Sequence, residues 1–101
     1  MQFEINGILW TLKFVEPMDS VLWTGSRYTL GVTVLPERTI YINAYLNKEK
    51  LRDVLSHEIC HSMVASYGYD MPISEEECFC QIMERRGDEV RWLADEILKN
   101  F

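Results

Sequence analysis

Basic residues are scarce in this chain: Lys and Arg number 10 against 16 Asp and Glu, for a net charge of -6 at pH 7. A chain with no basic face cannot neutralise phosphates, so nucleic acid is not expected as a partner. Long apolar runs are also missing. No window approaches the roughly 18 apolar residues of a bilayer span, and no membrane partner is expected. The opening stretch MQFEINGILWTLKFV has no basic segment, no continuous apolar core and no small-residue cleavage site. A signal peptide is therefore not expected. Cysteine is limited to Cys60, Cys78 and Cys80. An odd count without a spaced framework argues against a secreted disulfide scaffold, and the expected compartment is the reducing cytoplasm. No linker, repeat or low-complexity segment interrupts the 101 residues, so 1–101 reads as a single domain.

What is present is an ordinary globular composition, 48% hydrophobic and 26% charged. The first 46 residues read as strands. Residues 8–15 (ILWTLKFV) are apolar and β-rich after a turn at Asn6-Gly7. Residues 28–34 (YTLGVTV) and 39–45 (TIYINAY) are two more, joined through Leu35-Pro36-Glu37-Arg38. After Leu46 the apolar period changes to that of a helix. Asn47 is an N-cap, and the helix runs to about Tyr67, with Leu51, Leu55, Ile59 and Ser62 as one stripe and Gly68 as its stop. Ser74 reads as a second N-cap, Gly87 as a break near Arg86, and Asp88 as the cap of a last helix ending near Lys99. Strands first and helices afterwards predict an α+β fold: a small antiparallel or mixed sheet of about three strands followed by three helices.

Both histidines of the chain fall in Ser56-His57-Glu58-Ile59-Cys60-His61-Ser62. On a helix, residues i and i+4 stand one above the other, so two imidazoles can reach one metal ion. Glu58 points about 100° around the helix from His57. It is placed to serve a water on the metal's open side rather than the metal itself. That is the H-E-x-x-H arrangement of a zinc hydrolase, in which the metal acidifies the water and the glutamate takes the proton. The bland alternative is a pair of core or surface histidines beside a solvated glutamate.

A catalytic zinc usually takes three protein ligands. With two histidines in the chain, the third must be Asp, Glu or Cys, and Glu75-Glu76-Glu77 is the richest supply. Glu77 is the first choice and Glu76 the second. Against Glu77 stands a capping box, Ser74-x-x-Glu77, which would turn its carboxylate back to the helix end. Cys78 and Cys80 offer a closed Cys2His2 structural site instead, but C-x-C on a helix sends its thiols about 200° apart. Cys60 reads as a small buried residue beside the site. Tyr41, Tyr45, Tyr67 and Tyr69 are candidates to bind a developing oxyanion. TIYIN is the candidate edge strand for binding an extended peptide.

These residues together resemble the compact zincin-like metallopeptidases of phages and mobile elements, related to the ImmA/IrrE group. The resemblance rests on HExxH, on Tyr28-x-Leu30-Gly31, on TIYIN, on Glu77-x-x-Cys80 and on Gly87-Asp88-Glu89-Val90. It implies a gluzincin site with Zn2+ on His57, His61 and Glu77, and Glu58 as the base. It departs at Gln81, where an acidic residue or Asn is usual. By analogy it implies a protein or peptide substrate, such as a phage or host regulator, and a regulatory protein partner. The competing expectation is a catalytically silent metal-binding module, an adaptor or anti-repressor on the same fold.

Overall fold

Asn6 and Gly7 both adopt positive φ, 51° and 75°, and so turn the chain tightly between Gln2–Ile5 (β1) and Ile8–Val15 (β2). This is the primed two-residue turn that matches the twist of antiparallel strands. The two strands pair from Ile5↔Ile8 to Gln2↔Thr11. The computed structural model describes residues 1–100. A meandering segment follows, pinned by a short 3-10 turn at Ser20–Leu22 whose Leu22 is fully buried. Gly31–Val34 (β3) then pairs antiparallel with Thr39–Asn43 (β4), and β4 lies parallel to β2. The result is a four-stranded mixed sheet in the order β1-β2-β4-β3.

The structure corrects the expected three strands to four. The additional strand, β1, is only four residues long and carries Gln2 and Glu4 in its QFEI sequence, too short to show a period. The predicted strand at 28–34 begins three residues later, at Gly31; Tyr28 forms only an isolated bridge to Trp23. TIYIN is not an edge. It is β4, flanked by β2 and β3, and the sheet's edges are β1 and β3. Its alternation is the one its sequence predicts: Ile40 and Ile42 are fully buried, while Tyr41 and Asn43 are half-buried. Two isoleucines taken wholly out of water stabilise the sheet by about 2–3 kcal/mol each.

Lys48–Ser66 (α1) covers one face of the sheet. Leu51, Val54, Leu55 and Ile59 pack on Leu12, Ile40 and Ile42. Both ends are capped as the sequence predicts. The Asn47 side chain accepts from the Lys50 amide at 2.8 Å. Gly68, at φ 69°, lets Tyr69 N reach Val64 O at 3.0 Å and Gly68 N reach Ala65 O at 3.2 Å, a Schellman stop. The last turn is tied to the first hairpin: Trp10 Nε1 donates to Ser66 Oγ at 2.8 Å and Asn6 Nδ2 to Ser66 O at 3.0 Å.

Ile73–Leu98 (α2) is one continuous helix, so the expected second and third helices are a single element and Gly87 does not break it. A mid-helix glycine costs about 1 kcal/mol but removes no backbone hydrogen bond. Beside it, on the exposed surface, Arg52 of α1 pairs with Asp88 and Arg86 reaches Glu89 at 3.7 Å. The N-cap is Pro72, not Ser74, and Pro72 O accepts from Glu75 N and Glu76 N at 3.0 Å each. The Ser74–Glu77 capping box is therefore not made. Phe79 and Ile82, apolar residues of this helix, are exposed, and Cys80 is the one buried residue of α2. This helix packs on α1 and runs on past it, and the molecule measures 52 × 30 × 28 Å. No helix is long and apolar enough to cross a membrane among the described residues.

Candidate metal centre

His57 and His61 lie one turn apart on the side of α1 that meets α2. Each ring has its Nδ1 held by a carboxylate of α2. Glu84 Oε1 is 3.1 Å from His57 Nδ1, and Glu76 Oε2 is 2.5 Å from His61 Nδ1. Glu76 and Glu84 are half-buried themselves. A carboxylate only accepts, so these contacts assign the ring proton to Nδ1 in both histidines. The Nε2 lone pairs are thereby turned inward.

The two Nε2 atoms stand 3.3 Å apart. Glu77 closes the third side, with Oε1 2.5 Å from His61 Nε2 and Oε2 3.5 Å from His57 Nε2. Three acceptors thus converge with no donor among them, an arrangement that repels itself unless a cation or extra protons sit at its centre. The 3.3 Å and 3.5 Å separations match a zinc site, while the 2.5 Å contact of Glu77 Oε1 with His61 Nε2 is that of a shared proton and must open to admit the ion. With Zn–N bonds of about 2.0–2.1 Å, the edge of a coordination tetrahedron is about 3.4 Å. Ligand atoms of His57, His61 and Glu77 all lie within 4.8 Å of one another. The donor set of two imidazoles and one carboxylate leaves a fourth position free, as catalytic sites do.

Glu58 leaves the helix on a different side and meets the sheet. It is buried, and the Thr33 hydroxyl on β3 donates to Glu58 Oε1 at 2.9 Å and lies 3.2 Å from the Glu58 carbonyl oxygen. Burial pushes the Glu58 carboxyl above the ordinary carboxylate range, while the Thr33 bond pulls it back. Ser62 Oγ donates to the same carbonyl at 3.1 Å, which steadies this turn of the helix.

Gly31 is what lets α1 come this close to β3. A methyl group there would stand 2.8 Å from Val54 Cγ1, 3.0 Å from Ile42 Cδ1 and 3.2 Å from Glu58 Cγ. Its φ lies outside the left-handed region, so the need for glycine is space, not backbone conformation. The glycine of the Tyr28-x-Leu30-Gly31 run therefore sits against the candidate base.

The site opens into a cleft of about 330 Å³. Its walls include Gly31 of β3, His57 and Glu58 of α1, and Glu77, Gln81 and Glu84 of α2, with Arg27 and Lys50 as the cations on its rim. Gln81 faces the cleft one turn beyond Glu77 and makes no hydrogen bond to a ligand. None of the four candidate tyrosines is there. Tyr41 OH donates to Glu37 and Tyr45 OH to Glu16, both on the surface; Tyr67 and Tyr69 lie near each other on another face. Cys78 is exposed and Cys80 is buried against Cys60, so the Cys2His2 alternative is not assembled. Glu76, the second choice as third ligand, backs His61 instead. Sequence pattern does not single out Glu84, Thr33, Arg27 or Lys50. Glu84 carries a signal that is readable in principle: it follows Glu77 by seven residues, two helical turns, and so shares its face.

Comparison with family models, with curated proteins and with solved structures finds no match to this chain.

Proposed function

We propose that the chain is a zinc-dependent metallopeptidase that hydrolyses peptide bonds in a protein substrate. One observation carries the reading: His57 Nε2, His61 Nε2 and a Glu77 carboxylate oxygen converge as acceptors beside a buried Glu58. His57, His61 and Glu77 would hold the ion. A zinc ion bound there supplies a Lewis acid that polarises a carbonyl and acidifies water.

The protein's own groups supply the rest. Glu76 and Glu84 hold the two imidazoles in the tautomer whose Nε2 is free and raise their basicity. Glu58 accepts a proton from water in the cleft and delivers it to the departing amine. Its raised pKa suits both halves of that cycle, since a base must also be able to give the proton back. Thr33 fixes which oxygen of Glu58 faces the cleft. An extended peptide fits as an added strand on β3, whose outer edge pairs with no other strand and whose Gly31 lines the cleft.

The test joins metal content to turnover. Untagged protein should carry about one zinc per chain, lost in His61→Ala and Glu77→Ala. Glu58→Gln should keep the zinc and lose cleavage of a denatured-protein or peptide-library substrate. Zinc-free wild type after resupply, or full turnover by Glu58→Gln, would end this reading.

A further inference from the structure

On the side of α2 away from the cleft, α1 and α2 enclose an apolar groove of about 700 Å³. Met63 and Tyr67 of α1 and Phe79 and Met83 of α2 line it, with Ile59 and Val64 in its floor. The apolar row runs on past the N-terminal end of α1. Val90, Leu93 and Ile97 continue it along α2, at 63%, 52% and 52% exposure. The spacing 79, 83, 90, 93, 97 keeps all five within roughly a 100° stripe of the helix. The radius of gyration, 15.1 Å, exceeds the roughly 13 Å of a compact domain of this length, because this half of α2 projects from the body.

We propose that a second copy of this chain covers the stripe, the two α2 helices lying antiparallel about a two-fold axis at the level of Asp88. Two features favour a copy of the same chain over another occupant. First, the chain holds both halves of the contact. With the axis at Asp88, Ile97 of each copy falls beside Phe79 of the other, and Leu93 beside Met83. Ridge enters groove twice, as an isologous dimer requires.

Second, the charges match under the same operation. Arg86 on the stripe and Glu89 on its flank sit on either side of the axis, so Arg86 of each copy lies near Glu89 of the other. Their pairing within the chain is loose, 3.7 Å between side chains that are 67% and 63% exposed.

Phe79, Met83, Val90, Leu93 and Ile97 form one continuous exposed apolar row, the kind of surface that marks an interaction site. Glu77, Gln81 and Glu84 project from the other side of α2, so the pairing leaves both clefts open.

The experiment is sedimentation velocity on the full chain from about 2 to about 200 μM, with circular dichroism as the folding control. The wild type should sediment at twice the 11.9 kDa chain mass at the upper concentrations. Val90→Glu and Ile97→Glu change exposed residues and should fold, yet each should raise the dissociation constant at least about 100-fold. Trp92→Glu is the control. Trp92 is just as exposed, at 60%, but lies on the opposite side of the helix, and the variant should remain dimeric. A wild type that is monomeric throughout would overturn the proposal and return the stripe to a different protein. So would a dimer that survives both stripe variants, one broken equally by Trp92→Glu, or an open-ended series of larger species.

Discussion

The close approach of α1 to β3 can be tested without knowing any substrate, through Gly31→Ala. The added methyl would meet Val54 Cγ1 at 2.8 Å and Ile42 Cδ1 at 3.0 Å. Ile42 is fully buried and cannot move aside, and Val54, half-buried at the cleft wall, can yield only by giving up its packing on the core. Overpacking of this kind costs about 1–3 kcal/mol. Removing a strand glycine returns about 0.5–1 kcal/mol through the unfolded chain. The net expectation is a loss of about 1–2 kcal/mol. For a domain of this size that is a fall in Tm of roughly 5–15 °C, read by calorimetry. The cause is separable by a double-mutant cycle. Val54→Ala removes Cγ1 and makes room, so the double variant should be more stable than the sum of the singles predicts by at least about 1 kcal/mol. Additivity within about 0.3–0.5 kcal/mol, or an unchanged Tm for Gly31→Ala, would refute the argument that this glycine is there for space. Because the same methyl lies 3.2 Å from Glu58 Cγ, turnover should fall further than the stability loss alone explains.

Glu76→Ala and Glu84→Ala should each weaken zinc binding about 10–100-fold in chelator competition, and Glu77→Ala should weaken it well beyond either. Equal losses in all three would remove the distinction between ligand and support. Thiol labelling should find one fast cysteine, Cys78, because burial pushes the Cys60 and Cys80 thiols above their ordinary range and neither is exposed. Three equally fast thiols in folded protein would contradict the packing of α1 on α2. Ser66→Ala leaves the buried Trp10 indole without its acceptor and should cost about 1–3 kcal/mol in urea unfolding. A cost under about 0.5 kcal/mol would mean that the tie between α1 and the first hairpin is dispensable.

Elements whose signal is local are legible in the sequence alone. Asn6-Gly7, Asn47 and Gly68 each act within a few residues, and all three do what their chemistry predicts. The alternation in TIYIN is legible too, since burial of Ile40 and Ile42 depends only on strand period. Features that depend on neighbours far along the chain are not. Whether TIYIN is an edge depends on where β3 lands, and β4 is enclosed because β2 pairs with it in parallel across an excursion of more than 20 residues. Gly87 looks like a break in isolation, but a glycine keeps its backbone hydrogen bonds and the helix runs through it. In the site, helix period alone brings the two histidines together. It does not separate the roles of Glu76 and Glu77. That depends on the N-cap being Pro72 rather than Ser74, which leaves Glu77 clear of the helix end and free to meet the imidazoles. Glu84 escapes a sequence reading because its partner, His57, is 27 residues away along the chain.

The burial of α2 has a consequence for how any variant of this site should be interpreted. Apart from Cys80, the residues of α2 that are not fully exposed are Glu76, Glu77, Glu84, Gly87 and Glu96. Three of these five are the carboxylates that meet His57 and His61. The helix is therefore attached to the body less by a core than by the polar contacts of the site. A knockout there changes more than chemistry: it loosens the latch of a quarter of the chain. Amide exchange along α2 should then respond to metal and to each carboxylate variant, while exchange in β2 and β4 stays constant.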